Sequence, residues 1–267
     1  MAGALLVELT VGCAVLAGPP EQPAAASAAS TAQTVVVAGG RTVRLVSLGG
    51  PRTDRLLARV ASEMGGAVDA VQAFWGPEWL RQITVVATVS QQQFAAAAGG
   101  APAQWADIAA VTVADRVDPQ HRAAFGQRIV FAPGAATMSD TSLRIVLRHE
   151  LFHYAARAET TLDAPRWLTE GVADFVARPP TSAPPALAAT LPSDADLDVP
   201  GPQRSLGYDK AWWFARFVAD AYGTARLRRL YLAACGVGHT GVTAAMRAVL
   251  GTEPASVLTR WQQWLNR

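Results

Sequence analysis

The chain lacks most of the features that would announce a partner. Among 267 residues there are one lysine, Lys210, two cysteines and four histidines, and only 16% of residues are charged. Two cysteines, Cys13 and Cys235, with no CxxC and no Cys/His cluster, build neither a disulfide framework nor a cysteine zinc site. A net charge of +2, with no stretch that interleaves arginine and aromatic residues, excludes a nucleic-acid-binding surface. No segment has the eighteen or more uninterrupted apolar residues of a membrane span, so the body of the chain reads as soluble. Low charge beside 51% hydrophobic residues also excludes a mostly disordered chain, and the length suffices for a substantial core in one large domain or two small ones.

The N-terminal stretch "MAGALLVELTVGCAVLAGPPEQPAAASAAS" is an apolar run followed by a Pro/Ala/Ser-rich tract. That order suits an exported protein with a spacer behind its signal, although no Lys or Arg precedes the run and Glu8 interrupts it. Within it, "LTVGC" resembles a bacterial lipobox, which implies lipidation of Cys13 and attachment to a membrane. The other reading is an Ala-rich tail on a soluble protein. The Ala, Gly, Pro and Arg content is that of a protein from a GC-rich bacterial genome.

Next, "TVVVAGGRTVRLVSLGG" gives two β-branched runs joined by glycines, a hairpin. Leu56, Leu57, Val60, Met64, Val68 and Val71 recur at helical spacing over residues 53–74. Three strand-like runs, "QITVVATV", "IAAVTVA" and "QRIVFAP", are separated by Ala/Gly/Gln-rich and polar loops. Residues 139–158 form an amphipathic helix that Ser139 or Asp140 can cap, with Leu143, Val146, Leu147, Phe152 and Ala155 along one stripe. A further helix, "APRWLTEGVADFVA", stops at Pro179. The Pro/Ala-rich segment after it reads as a linker or long surface loop, and four helical patterns punctuated by glycines follow. Cys235 reads as a small buried residue near a helix end. The expected organisation is residues 1–33 as leader and spacer, 34–178 as the main folded region, 179–205 as linker or surface loop and 206–267 as a helical subdomain. The fold class is α+β, with strands in the first half and helices in the second.

Two of the four histidines stand in "RHELFHY", residues 148–154. Positions four apart share a helix face, so His149 and His153 can present two imidazole nitrogens to one cation. Glu150 then lies near that cation without ligating it, which is the arrangement of HExxH zinc hydrolases. Zinc with three protein ligands keeps a position for water, whose pKa falls to about 7. Glu150 is the candidate general base for that water. With four His and eight Glu in the chain, the three fixed letters arise by chance with a frequency on the order of 0.002, so coincidence is a poor explanation. The bland alternative is a pair of satisfied histidines on a buried helix face.

A metzincin would continue HExxHxxGxxH, but Ala156 and Glu159 occupy the positions of its Gly and third His. Instead "HELFHY" followed by "PRWLTEGVADFVA" resembles the gluzincin metallopeptidases, in particular the bacterial peptidase-MA-like group with HExxH and then WLxEGxA. The resemblance covers about residues 143–177. It implies a zincin-like fold, a small mixed sheet with the HExxH helix followed by a C-terminal helical subdomain. It also implies Zn2+ held by His149, His153 and Glu170, and hydrolysis of a peptide or protein substrate. Asp174 matches the aspartate that orients a ligand histidine in thermolysin-like members, with a solvated carboxylate as the alternative. Tyr208 resembles the tyrosine that opens the next helix and could donate to a developing oxyanion, with buried packing as the alternative. "QRIVFAP" would be either the edge strand that pairs with substrate backbone or an interior strand. No GxMEN-like segment precedes the motif, so aminopeptidase activity is not implied. Thr169 stands where thermolysin-like sequences carry Asn, and His121 and His239 read as surface residues.

The leading expectation is an exported zinc metallopeptidase. The rival is a non-hydrolytic, zinc-stabilised module that binds a peptide or a cell-wall component. Glu150 argues for the first, since a structural site needs ligands and no base.

Overall fold

The computed structural model describes residues 14–15, 31–37, 40–100, 105, 108–181 and 187–267. Cys13, most of the leader-like segment and residues 182–186 of the proline-rich stretch lie outside the described residues. Two compact units make up the chain, Met1–Asp118 with Ala124–Ala155, and Pro119–Ala123 with Ala156–Arg267. Among the described residues no helix is long and apolar enough to cross a membrane.

The first unit is built on a mixed sheet. A two-residue strand, β1 (Ala14–Val15), is followed by the expected hairpin of β2 (Thr31–Val37) and β3 (Arg41–Ser47), with Val35 opposite Val43. Gly40 sits in its turn at φ 70°, a conformation that costs glycine nothing. Helix α1 (Pro51–Trp75) then returns the chain to β4 (Gln82–Ala87), parallel to β3, and its six stripe residues are all buried.

Where the sequence suggested only loop, α2 (Gln91–Ala98) follows, its start capped by Ser90, whose hydroxyl accepts from the Gln93 amide. Three glutamines and four alanines carry almost no hydrophobic period, so burial of Phe94 against Trp105, Val111 and Val130 is what defines this helix. The chain continues through β5 (Ala110–Ala114), the short pair β6 (Arg116–Asp118) and β7 (Ala123–Phe125), and β8 (Arg128–Phe131).

The strand order is β1-β5-β8-β4-β3-β2, with β8 antiparallel to β5 and parallel to β4. "QRIVFAP" is therefore an interior strand and not an edge open to substrate. It pairs with β5 on one side and β4 on the other, and Ile129, Val130 and Phe131, which point alternately to the two faces, are all buried.

Helix α3 (Asp140–Ala156) carries the HExxH motif and ends in a 3-10 turn, Arg157–Glu159. Ser139 accepts from the Ser142 amide at 3.1 Å, as its capping position suggests. Ionic contacts tie α3 to α1: Arg144 grips Glu63 with both arms (2.7 and 3.0 Å), and Arg59 reaches Asp140 at 2.7 Å. Between them Phe152 packs edge-on against Trp75.

The second unit is helical. Helix α4 (Arg166–Ala177) packs closely on α6 (Pro202–Tyr222), and α7 (Thr224–Cys235), α8 (Val242–Leu250) and α9 (Pro254–Leu265) complete it. Phe214 anchors the core, touching Trp167 on α4 and Trp261 on α9. Cys235 is buried at the end of α7 as expected, and burial pushes its thiol pKa far up. The proline-rich stretch is not wholly irregular, because α5 (Asp194–Asp198) forms within it behind a capping box between Ser193 and Asp196. α6 begins at Pro202, several residues before its hydrophobic pattern does.

Candidate metal centre

Helical geometry brings His149 and His153 together, their Nε2 atoms 3.0 Å apart and both rings almost wholly buried. Two neutral imidazoles at this distance either share one proton or aim two lone pairs at a common cation. The 3.0 Å spacing is a hydrogen-bond length, and it is about 0.3 Å short of the roughly 3.3 Å between nitrogen ligands of a tetrahedral zinc with Zn–N near 2.0–2.1 Å, so a small rotation of the rings converts the first arrangement into the second. Glu170 is buried on α4, and one ligand atom from each of His149, His153 and Glu170 lies within 4.8 Å of the others. These three residues form a group able to hold a metal ion. Two imidazoles and one carboxylate are a donor set that zinc accepts.

Glu150 is fully buried one residue along α3. Thr112 on β5 holds it: the threonine Oγ1 lies 2.8 Å from the Glu150 carboxylate Oε2 and 2.8 Å from the Glu150 backbone oxygen. One turn later the Gln127 amide donates to the Tyr154 carbonyl at 3.0 Å. Thr112 and Gln127 thus meet the motif helix at residues 150 and 154, one turn apart. Tyr154 is inward too, and burial pushes its phenol pKa up to about 12.

On the second unit, Glu170 is positioned by how α4 starts and by what it lies against. Pro165 gives α4 no side-chain cap, and Asp194 of α5 supplies one by accepting from the amides of Arg166 (3.0 Å) and Trp167 (2.8 Å). Gly171, next to Glu170, faces α6 so closely that a Cβ there would stand 2.6 Å from the Ala211 carbonyl carbon. The absence of a side chain at Gly171 is what lets α6 approach this closely.

Asp174 is buried, not solvated, and pairs with Arg178 one turn on at 2.7 Å. Arg178 also meets Asp209 at 3.0 Å and stacks over Trp212. Burial opposes the charge of Arg178, but the two carboxylates outweigh it and raise its pKa; Asp209 is pushed up chiefly by burial, against the pull of Arg178. Tyr208 is buried on α6. His121 is exposed as expected. His239 is not a free surface residue: its ring is largely covered and its Nε2 lies 3.2 Å from Asp163.

Thr112, Asp194 and Arg178 were not singled out from sequence. Thr112 carried a faint signal, as the one polar residue in the buried run "AVTVA". Asp194 acts on α4 from 28 positions away, a separation at which no local pattern operates.

No protein-family model matches the chain, and no curated protein matches it. Among solved structures it is similar to a two-domain M1 zinc metallopeptidase variant bound to L-arginine, at 14% identity and a TM-score of 0.48 over 88% of this chain and 51% of that one. A variant of such an enzyme bound to L-tryptophan aligns at 14% identity and a TM-score of 0.47, with the same coverage. The chain spans about half the length of these structures.

Proposed function

We propose that the protein is a zinc-dependent metallopeptidase of the gluzincin type, acting on a peptide or protein substrate. His149, His153 and Glu170 are its metal ligands and Glu150 its general base. The observation that carries this reading is the buried His/His/Glu group, with ligand atoms within 4.8 Å of one another and a buried glutamate beside its first histidine. A purely structural ion needs only the ligands, so burying a further carboxylate next to them without a chemical role would be costly.

Zinc held by His149, His153 and Glu170 would supply a Lewis acid for the scissile carbonyl and would lower the pKa of the attacking water to about 7. Glu150 accepts the proton that water loses as its oxygen bonds to the carbonyl carbon. It then delivers that proton to the departing amine nitrogen as the C–N bond breaks. Asp174, one turn beyond Glu170, orients a ligand histidine while Arg178 fixes its carboxylate. Tyr208 donates a hydrogen bond to the oxyanion. The reading includes export, supported by the apolar run and its Pro/Ala/Ser tract, and membrane attachment through a lipid on Cys13.

The test is zinc per chain, measured beside hydrolysis of a peptide library, for wild type, Glu170→Ala and Glu150→Gln. About one zinc in the wild type, much less in Glu170→Ala, and full zinc with hydrolysis lowered roughly 10²- to 10⁴-fold in Glu150→Gln are expected. Little zinc in the wild type after supplementation, or wild-type cleavage by Glu150→Gln, would overturn the mechanism. Zinc-loaded wild type that cleaves nothing would favour the non-hydrolytic binding module.

A further inference from the structure

We propose that Thr112 is a positioning residue for the general base, holding the Glu150 carboxylate in a single orientation; the proposal rests on the hydrolytic reading above. Strand β5 is buried along its whole length, and its side chains alternate. Val111 and Val113 join the cluster beneath α2, while Thr112 faces α3 and reaches Glu150. Valine has the shape of threonine and is the ordinary choice for such a strand. A hydroxyl here costs desolvation free energy unless it is bonded.

The bonding is specific. One hydroxyl oxygen lies 2.8 Å from Glu150 Oε2 and 2.8 Å from the backbone oxygen of the same residue. Thr112 has one proton to give, and the ionised carboxylate is the stronger acceptor. The free end of a side chain with three rotatable bonds is therefore held by one atom of a buried strand. A base that must meet its proton within about 2.6–3.2 Å depends on such an anchor more than the metal ligands do.

The test compares wild type with Thr112→Val, which keeps the shape and removes the hydroxyl, and Thr112→Ser, which keeps the hydroxyl. Expected for Thr112→Val are full zinc, KM within about twofold and kcat lower by about 10-fold or more, with Thr112→Ser recovering most of the loss. A second readout needs neither zinc nor turnover. In protein labelled at its eight glutamates with 13C, the Glu150 carboxyl resonance, assigned through Glu150→Gln, should move in Thr112→Val and stay near its wild-type place in Thr112→Ser. A resonance that does not move in Thr112→Val overturns the anchor whatever the activity. A resonance that moves while kcat stays at the wild-type value overturns its importance to the reaction. If it moves but zinc-loaded wild type cleaves no peptide, the hydrolytic reading fails and takes this role for Thr112 with it.

Discussion

Replacing Gly171 by alanine sets two opposed effects against each other, and the structure decides between them. In an exposed helix interior, Gly→Ala stabilises by about 0.8–1.0 kcal/mol, because alanine loses less backbone freedom on folding. At Gly171 the added methyl would stand 2.6 Å from the Ala211 carbonyl carbon and 2.9 Å from the Ala211 Cβ. Carbon atoms rest about 3.5–4.0 Å apart, so α4 and α6 would have to separate by about 1 Å. The atoms met are mainly backbone, which cannot swing aside. Overpacking of this kind costs about 1–3 kcal/mol, and we expect Gly171→Ala to be destabilised by about 1–2 kcal/mol net. Because Glu170 is the neighbouring residue, the variant should also hold less zinc. Gly65, inside α1 with nothing within 4 Å of its would-be Cβ, is the control: Gly65→Ala should gain up to about 1 kcal/mol. Urea unfolding of the three proteins, with zinc per chain, is the assay. Equal stabilisation of both variants with unchanged zinc would refute the argument that the α4–α6 approach fixes the residue before it.

Two other outcomes follow from named contacts. Asp194→Ala removes the carboxylate that accepts from the Arg166 and Trp167 amides at the start of α4 and should cost about 1 kcal/mol in urea unfolding, with Asp194→Asn recovering part of it. Hydrogen bonding from Arg144, ahead of a smaller opposing effect of burial, holds the Glu63 carboxyl below its ordinary range. A lowered acid pKa gives stability that is present above the unfolded value, near 4.5, and lost as pH falls through the folded one. Unfolding curves at stepped pH should therefore show wild type losing more stability than Glu63→Gln below about pH 4.5, and parallel curves would contradict the pairing.

Local pattern made several elements legible in advance. The hairpin of β2 and β3, α1, α3, α4 and the four C-terminal helices each carry a hydrophobic period or a glycine boundary of their own. The elements that escaped lack one. α2 is mostly glutamine and alanine, and α5 is a single acidic turn among prolines, so each is held by contacts distant in sequence. The same holds for the placing of "QRIVFAP", since an apolar run of four residues reads alike at an edge and inside a sheet, and only pairing with both β5 and β4 distinguishes them.

At the candidate centre the division is sharper. The sequence by itself determined that His149 and His153 share a face, because the 3.6-residue turn is a property of the backbone and needs no partner. Glu170 and Asp174 are candidates through the resemblance of "PRWLTEGVADFVA" to the gluzincin pattern. Tertiary structure alone decided that Asp174 is buried against Arg178, that Asp194 caps α4 from 28 residues away, and that a strand hydroxyl grips Glu150. The last two are contacts between segments whose separation along the chain carries no periodic signal, and the burial of Asp174 depends on what packs over α4, so only the packed chain could specify them.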